Sequence, residues 1–284
     1  MPQAKQPVAI VTDSASSLTP EMAREYNIHV VPIYVIFGKD VYRDGVDLDA
    51  EKYYHLLHSS KKLPTTAQPT AADFAEVYTR LGEQAEAIVS IHPSHKISAT
   101  VDSARTAARQ ITTVPVHVID SRSVMISMGL TVLMAARAAQ AGQSADQVIQ
   151  LAKDLIDRMN VICMVDTLEY LHRGGRIGGA AALMGSMMKI KPILHIQDGL
   201  IEPLEKPRTK KRAMERLLAL IEERTGGKPI RAAVVHCNVP DDAEALYERV
   251  QARFQCTELL SVEAGPVIGT HAGPGTVGLA FYVE

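Results

Sequence analysis

EAIVSIHPSHKISATVDSARTAARQITTVPVHVID, residues 86–120, reads as strand, loop, helix and strand in succession. The β-branched run AIVSIH ends at His92, the loop PSHKI follows, SATVDSARTAARQ has helical character, and VPVHVID returns to β-branched residues. A strand, a crossover helix and a second strand are the repeating unit of a parallel sheet. The same alternation precedes it, with VAIVT at 8–12 and HVVPIYVIF at 29–37 as further strands. Helix starts are legible between them. Thr19-Pro20 sets an N-cap before a proline at the first helical position, and Thr70 with Asp73 precedes FAEVY. Ser144 and Gln147 form a capping box ahead of Val148, Leu151, Leu155 and Met159 at helical spacing.

A second region starts near Asn160 with VICMVD and continues through PILHI (192–196), RAAVVHC (231–237), ELLSV (258–262) and VGLAFYV (277–283). Two strong helix patterns separate those strands, one around Ala180–Met188 and one at 213–224, the latter closed by Gly226-Gly227. The expectation is an α/β protein of two closely packed domains, 1–160 and 161–284, with the ligand site in the cleft between them. The first is a mainly parallel sheet with flanking helices and the second a mixed α/β unit. At 284 residues the chain has about twice the usual length of one domain.

Composition narrows the function. Hydrophobic residues make up 46% and charged residues 22%, as in globular proteins, and the net charge of −2 argues against a globally basic nucleic-acid binder. Three cysteines, Cys163, Cys237 and Cys256, have no metal or redox spacing and point to a reduced, cytoplasmic protein. The longest charge-free apolar run, Val124 to Ala136, is shorter than the ~20 residues of a membrane span and reads as a buried helix.

Near the C-terminus, GPVIGTHAGPG (265–275) sets His271 among four glycines and two prolines, a backbone suited to tight turns and close ligand approach. Ser98 stands near the first turn of the helix after His92, where unpaired N–H groups favour a carboxylate or phosphate; capping that helix is the other role open to it. Thr65 and Thr66 lie in the proline-stiffened loop LPTTAQPT between two helices, while Asp13, Ser14, Asp120 and Ser121 at strand ends read as loop and cap residues. LEYLHRGGRIGGAAALMG (168–185) carries Arg173 and Arg176 beside paired glycines that can form an anion-binding turn. KPRTKKR (206–212) puts five cations at a helix start, either a solvated basic face or a contact for an anion or acidic partner.

The phosphate-loop, dinucleotide, zinc-protease and nucleophile-elbow motifs are missing, and no carboxylate is evidently placed to orient His271 in a hydrolytic dyad with Ser98. Hence no catalytic residue, metal ligand or cofactor is assigned. A stand-alone small-molecule phosphotransferase or hydrolase using the same cleft is the alternative function. A DNA-binding regulator using the 206–212 run is a third.

Together VTDSASSL (11–18), TAQP (66–69), SHKISAT (94–100), VIDSRSVMISMGL (118–130), LEYLHRGGRI (168–177), KIKPIL (189–194) with Asp198-Gly199, KPRTKKRA and GPVIGTHAGPG resemble the DegV family almost end to end. The resemblance implies a fatty-acid-binding carrier subunit of bacterial fatty acid kinase: two α/β domains around one buried long-chain fatty acid, its carboxylate held by Thr66, Ser98 and His271. Ala67 stands where the family usually has serine and Ala99 where it usually has glycine. The implied partners are a separate ATP-dependent kinase, which makes the acyl phosphate, and an acyltransferase of phospholipid synthesis. Nucleic acid is not among them, and transient membrane contact is. Arg176 and Arg208 are the candidates for phosphate or partner contacts. Tail length depends on residues such as Met125, Met128, Leu183, Met187 and Met188.

Overall fold

Alternating β-branched runs and capped helices build two principal sheets that share one layer of helices. The computed structural model describes residues 5–284, without the side chains of residues 186–188, so Met187 and Met188 lie outside the described side chains. The first half runs β1 (Gln6–Asp13), a 3-10 turn (Ser14–Ser16), α1 (Pro20–Glu25), β2 (Ile28–Val31), β3 (Tyr34–Phe37), β4 (Asp40–Arg43), α2 (Ala50–Ser59), β5 (Thr65–Ala67), α3 (Ala71–Gly82), β6 (Ala85–His92), α4 (Thr100–Ala108), β7 (Val116–Asp120), α5 (Met125–Gln140) and α6 (Ala145–Arg158). The second half runs β8 (Asn160–Met164), α7 (Glu169–Arg173), a 3-10 segment (Gly178–Lys189), β9 (Ile193–Gln197), β10 (Leu200–Glu205), α8 (Lys210–Thr225), β11 (Ile230–His236), α9 (Pro240–Arg253), β12 (Cys256–Glu263), α10 (Pro266–Ala272) and β13 (Val277–Val283).

One sheet is parallel throughout, in the order β2-β1-β6-β7, and the second is mixed, in the order β10-β9-β8-β13-β11-β12. Only β11 and β12 run parallel in the second, joined by the crossover helix α9; its other pairings are antiparallel. A small antiparallel sheet, β4-β3-β5, stands beside them. The charge-free helix is explained by its place. α5 packs on β1 and β6 on one side and on β11 and β13 on the other, so both its faces must be apolar. One core therefore runs from Val8 and Ile10 through Ile126 and Leu130 to Val161 and Ala233.

Three expectations change. HVVPIYVIF is two strands, because Pro32 has no N–H to continue the ladder: β2 stays in the parallel sheet and β3 leaves for the small one. LPTTAQPT is not wholly a loop, since Thr65–Ala67 pairs with β3 and sets Thr66 opposite Val35. The pattern around Ala180–Met188 is a 3-10 segment without a side-chain cap, and this half holds three further helices that the sequence pattern does not signal, α7, α9 and α10. The caps at Thr19, Thr70 and Ser144 form as expected, the last two as complete capping boxes.

A fully buried polar chain ties β1 to β6. His92 Nδ1 lies 2.7 Å from Asp13 Oδ2, His92 Nε2 lies 2.7 Å from Ser90 Oγ, and Ser90 Oγ lies 2.8 Å from the Tyr78 hydroxyl. Asp13 Oδ1 also accepts from Ala15 N–H and caps the 3-10 turn. Histidine, serine and aspartate occur here in the order of a hydrolytic relay, but all three are wholly buried and line none of the cavities described below. Removing the imidazole strands the Asp13 carboxylate in the core. His92→Ala is expected to cost about 3–5 kcal/mol in urea unfolding; a loss below about 1 kcal/mol would contradict this assignment.

Candidate functional site

Four segments distant in sequence meet at one cavity. GPVIGTHAGPG does not form a loop around His271; Pro266 occupies the first turn of α10, and His271 sits in its last. α10 lies close to α2 because residue 269 is glycine: a Cβ there would stand 2.8 Å from the Tyr53 ring and 3.0 Å from the Tyr54 hydroxyl. On the other side, a Cβ at residue 174 would collide with His271 Nδ1, so Gly174 admits the imidazole. β5 delivers Thr66, whose Oγ1 lies 2.8 Å from His271 Nε2 across 205 positions of sequence.

Ser98 comes from the loop after β6, where its N–H donates to Ser94 C=O. Its Oγ lies 2.8 Å from Thr100 Oγ1 and accepts from Thr100 N–H at 3.3 Å, so it secures the entry of α4. Ala99 has φ −80°, a conformation open to any residue, and needs no glycine. Arg176 follows α7; its Nε donates to Ile97 C=O at 3.1 Å and one terminal nitrogen to Gly174 C=O at 2.7 Å, joining the Ser98 loop to the glycine pair.

Thr66, Ser98, Arg176 and His271 line a cavity with apolar walls that include Ile33, Val124, Met125, Leu171 and Ile268. Val124, Met125, Leu171, Ile201 and Ala272 also line an adjoining chamber, continued by Val161, Cys163, Val165, Leu194 and Ile196. On the outer side, Thr66, Arg176 and His271 border a surface groove with Lys61, Lys62, Tyr170 and Arg173. The order is a cationic mouth, a polar collar and an apolar interior. Arg208 is not brought to it; it is exposed at the start of α8 and lines none of these spaces.

Burial, and secondarily the Arg176 charge, push the His271 pKa down to about 4. Its Nδ1 is buried and has no hydrogen-bond partner among the described residues. Cys163, in the inner chamber, has its thiol pushed up to about 12 by burial and is not a ready nucleophile. Among the described residues, no group of three His, Cys, Asp or Glu side chains is arranged to hold a metal ion, and no helix is long and apolar enough to cross a membrane.

A family model described as an uncharacterised protein of the DegV family matches residues 7–284. The chain belongs to the DegV family. A DegV domain-containing protein of Halalkalibacterium halodurans is 39% identical over 98% of this chain and 99% of its own, and protein DegV of Bacillus subtilis is 36% identical over 96% and 98%. Among solved structures, a fatty-acid-binding DegV family protein of Thermus thermophilus matches with TM-score 0.93 at 35% identity, covering 98% of this chain and all of that one. DegV of Bacillus subtilis, a fatty acid binding protein, matches with TM-score 0.91 at 35% identity over 99% of this chain and all of its own.

Within this DegV chain the sequence marked Thr66, Ser98, Arg173, Arg176, His271 and the wall residue Met125, but not the rest of the apolar walls, nor Lys61 and Lys62 at the mouth. Gly174 was visible only as half of a glycine pair. The depressed pKa sets the state of the collar. His271 is expected to stay neutral from pH 5 to 8 in the ligand-free protein, and its burial reduces stability as pH falls from about 6.5 toward 4. NMR titration of the imidazole checks this, and a midpoint near 6.5 would contradict it.

Proposed function

We propose that this chain binds one long-chain fatty acid, with its tail in the two apolar chambers and its carboxylate at Thr66, Ser98 and His271. The reading rests above all on the apolar cavity closed by the Thr66–His271 pair and opening onto a cationic groove. The fatty-acid-binding DegV proteins of Thermus thermophilus and Bacillus subtilis support the ligand class. Burying a tail gains about 0.8 kcal/mol per methylene, so ~12 methylenes supply roughly 10 kcal/mol before the costs of association. The carboxylate needs donors once out of bulk water, and two hydroxyls and an imidazole supply them.

Presentation of the head group is the proposed role, and catalysis is not. A separate ATP-dependent fatty acid kinase phosphorylates the carboxylate, and the carrier retains the acyl phosphate for an acyltransferase of phospholipid synthesis. Lys61, Lys62, Arg173 and Arg176 suit a developing phosphate at the mouth, Arg176 by paired N–H donors. Arg208, exposed just before α8, is assigned to a partner surface. The same proposal takes residues 1–160 and 161–284 as two domains of a cytoplasmic protein with the ligand between them.

Native mass spectrometry of protein purified from bacteria should find one copurified fatty acid per chain, and a chain that stays empty with added fatty acid would contradict the reading. Replacing Ser98 and His271 together by alanine should weaken binding by about 10²–10⁴-fold, the effect of two hydrogen bonds to a charged group; unchanged affinity would exclude them as the anchor. With ATP and fatty acid the purified chain should make no acyl phosphate until a kinase is added. Product from the chain alone would favour the phosphotransferase reading.

A further inference from the structure

Asp44 lines no part of the cavity, yet every group it holds belongs to the cavity wall or adjoins it. It is 3% exposed, in the segment between β4 and α2. Its N–H donates to the C=O of Ile33, a wall residue, at 2.9 Å. Its Oδ2 accepts from the N–H of Val267, a wall residue in the first turn of α10, at 3.4 Å. The Ser14 side chain stands beside the carboxyl, and Ser14 Oγ accepts from Ile33 N–H at 3.1 Å, next to the wall residue Ala15. A Cβ added at Gly265 would lie 3.2 Å from Asp44 Oδ1, so the carboxyl is pressed against the start of α10. α10 in turn carries Ile268, His271 and Ala272 into the cavity.

We propose that Asp44 is a positioning residue for the fatty-acid head group: its buried carboxyl seats α10, and with it His271, against the turn that carries Ala15. The proposal rests on the fatty-acid reading above. The groups facing Asp44 argue for the neutral form. They are Asp13 from the end of β1, Ser14 from the 3-10 turn, Tyr53 from α2 and the Val267 N–H from α10, and none of them is a cation. On its own segment Arg43 and Asp47 pair with each other at the surface. Burial accordingly raises the Asp44 pKa to about 7, with the hydrogen bonds from Ser14 and Val267 opposing and Asp13 adding to the rise. A carboxyl with a raised native pKa steadies the closed seat fully below its ordinary value near 4, loses that effect as pH rises to about 7, and changes little above it.

Hydrogen exchange of residues 265–273 in the ligand-free full chain, corrected for intrinsic rates, compares wild type with Asp44→Asn at pH 5.0 and 7.5. Protection of α10 should fall at least tenfold in wild type and less than threefold in Asp44→Asn. His271 is the other titrating group on α10 and is common to both proteins, so the difference isolates Asp44. Binding of cis-parinaric acid is then measured over the same range. Affinity relative to Asp44→Asn should fall with rising pH in wild type, Asp44→Ala should bind at least tenfold more weakly than Asp44→Asn, and the asparagine should restore tight binding. Equal pH profiles for wild type and Asp44→Asn in exchange would overturn the proposal, as would an alanine variant that binds like wild type. If the alanine variant does not fold, the wild-type and asparagine comparison decides. Failure of wild type to bind the fatty acid at any pH would instead overturn the fatty-acid reading, while exchange still decides whether Asp44 seats α10.

Discussion

The architecture turns on α5 having a sheet on each side. A helix in that position can expose no charged face, and its sequence between Val124 and Ala136 contains none. Burying it joins the two principal sheets into one core, which makes their relative placement part of the folding energy. The cavity opens at the N-terminal end of this helix, where Val124 and Met125 line both the outer and the inner chamber. Met125 adopts a positive φ of 63° there, a conformation uncommon for a bulky residue, at the point where the chain leaves β7 and enters the shared layer.

Polar groups are rationed around that cavity. The inner chamber is walled by Val161, Val165, Leu194 and Ile196, with Cys163 as a small apolar residue; its two polar residues are engaged elsewhere, the Thr276 hydroxyl donating to Ala272 C=O and His195 Nδ1 lying 3.1 Å from Arg224, while Thr66, Ser98 and His271 stand at the collar. Positive charge lies beyond the collar, at Lys61, Lys62 and Arg173. Such a gradient suits an amphipathic molecule in one orientation, with the apolar end inward and the acid at the mouth. The wholly buried Asp13–His92–Ser90 chain serves a different end. It fixes the ends of β1 and β6, from which the Ala15 turn and the Ser98 loop depart.

Local signals made the frame legible. The β6–α4–β7 unit, the caps at Thr70 and Ser144 and the buried α5 could all be read because each is decided by residues within a few positions of one another. Strand β5 could not, because Thr65–Ala67 has little strand character and acquires its structure from β3, some thirty positions earlier. The break at Pro32 was visible as a residue but not as a change of sheet. In the site, Thr66, Ser98 and His271 were indicated by family resemblance more than by chemistry, since a lone threonine or serine beside a helix start reads equally well as a cap. Ser98 does hold the entry of α4 while lining the cavity, so both of its readings describe the same side chain. Asp44 left no signal, because an Asp-Gly pair after a strand looks like an exposed turn and its burial depends on α10, more than 200 positions away.

In the proposed pose the acid sits at the collar and the tail runs inward. A crystal structure of the protein with a long-chain fatty acid tests it most directly. The carboxylate should lie within about 3.2 Å of Thr66 Oγ1 and Ser98 Oγ and beside the His271 imidazole, with the tail running past Val124 and Met125 toward Cys163 and Leu194. A fatty acid lying in the reverse direction, or outside these two chambers, would contradict it.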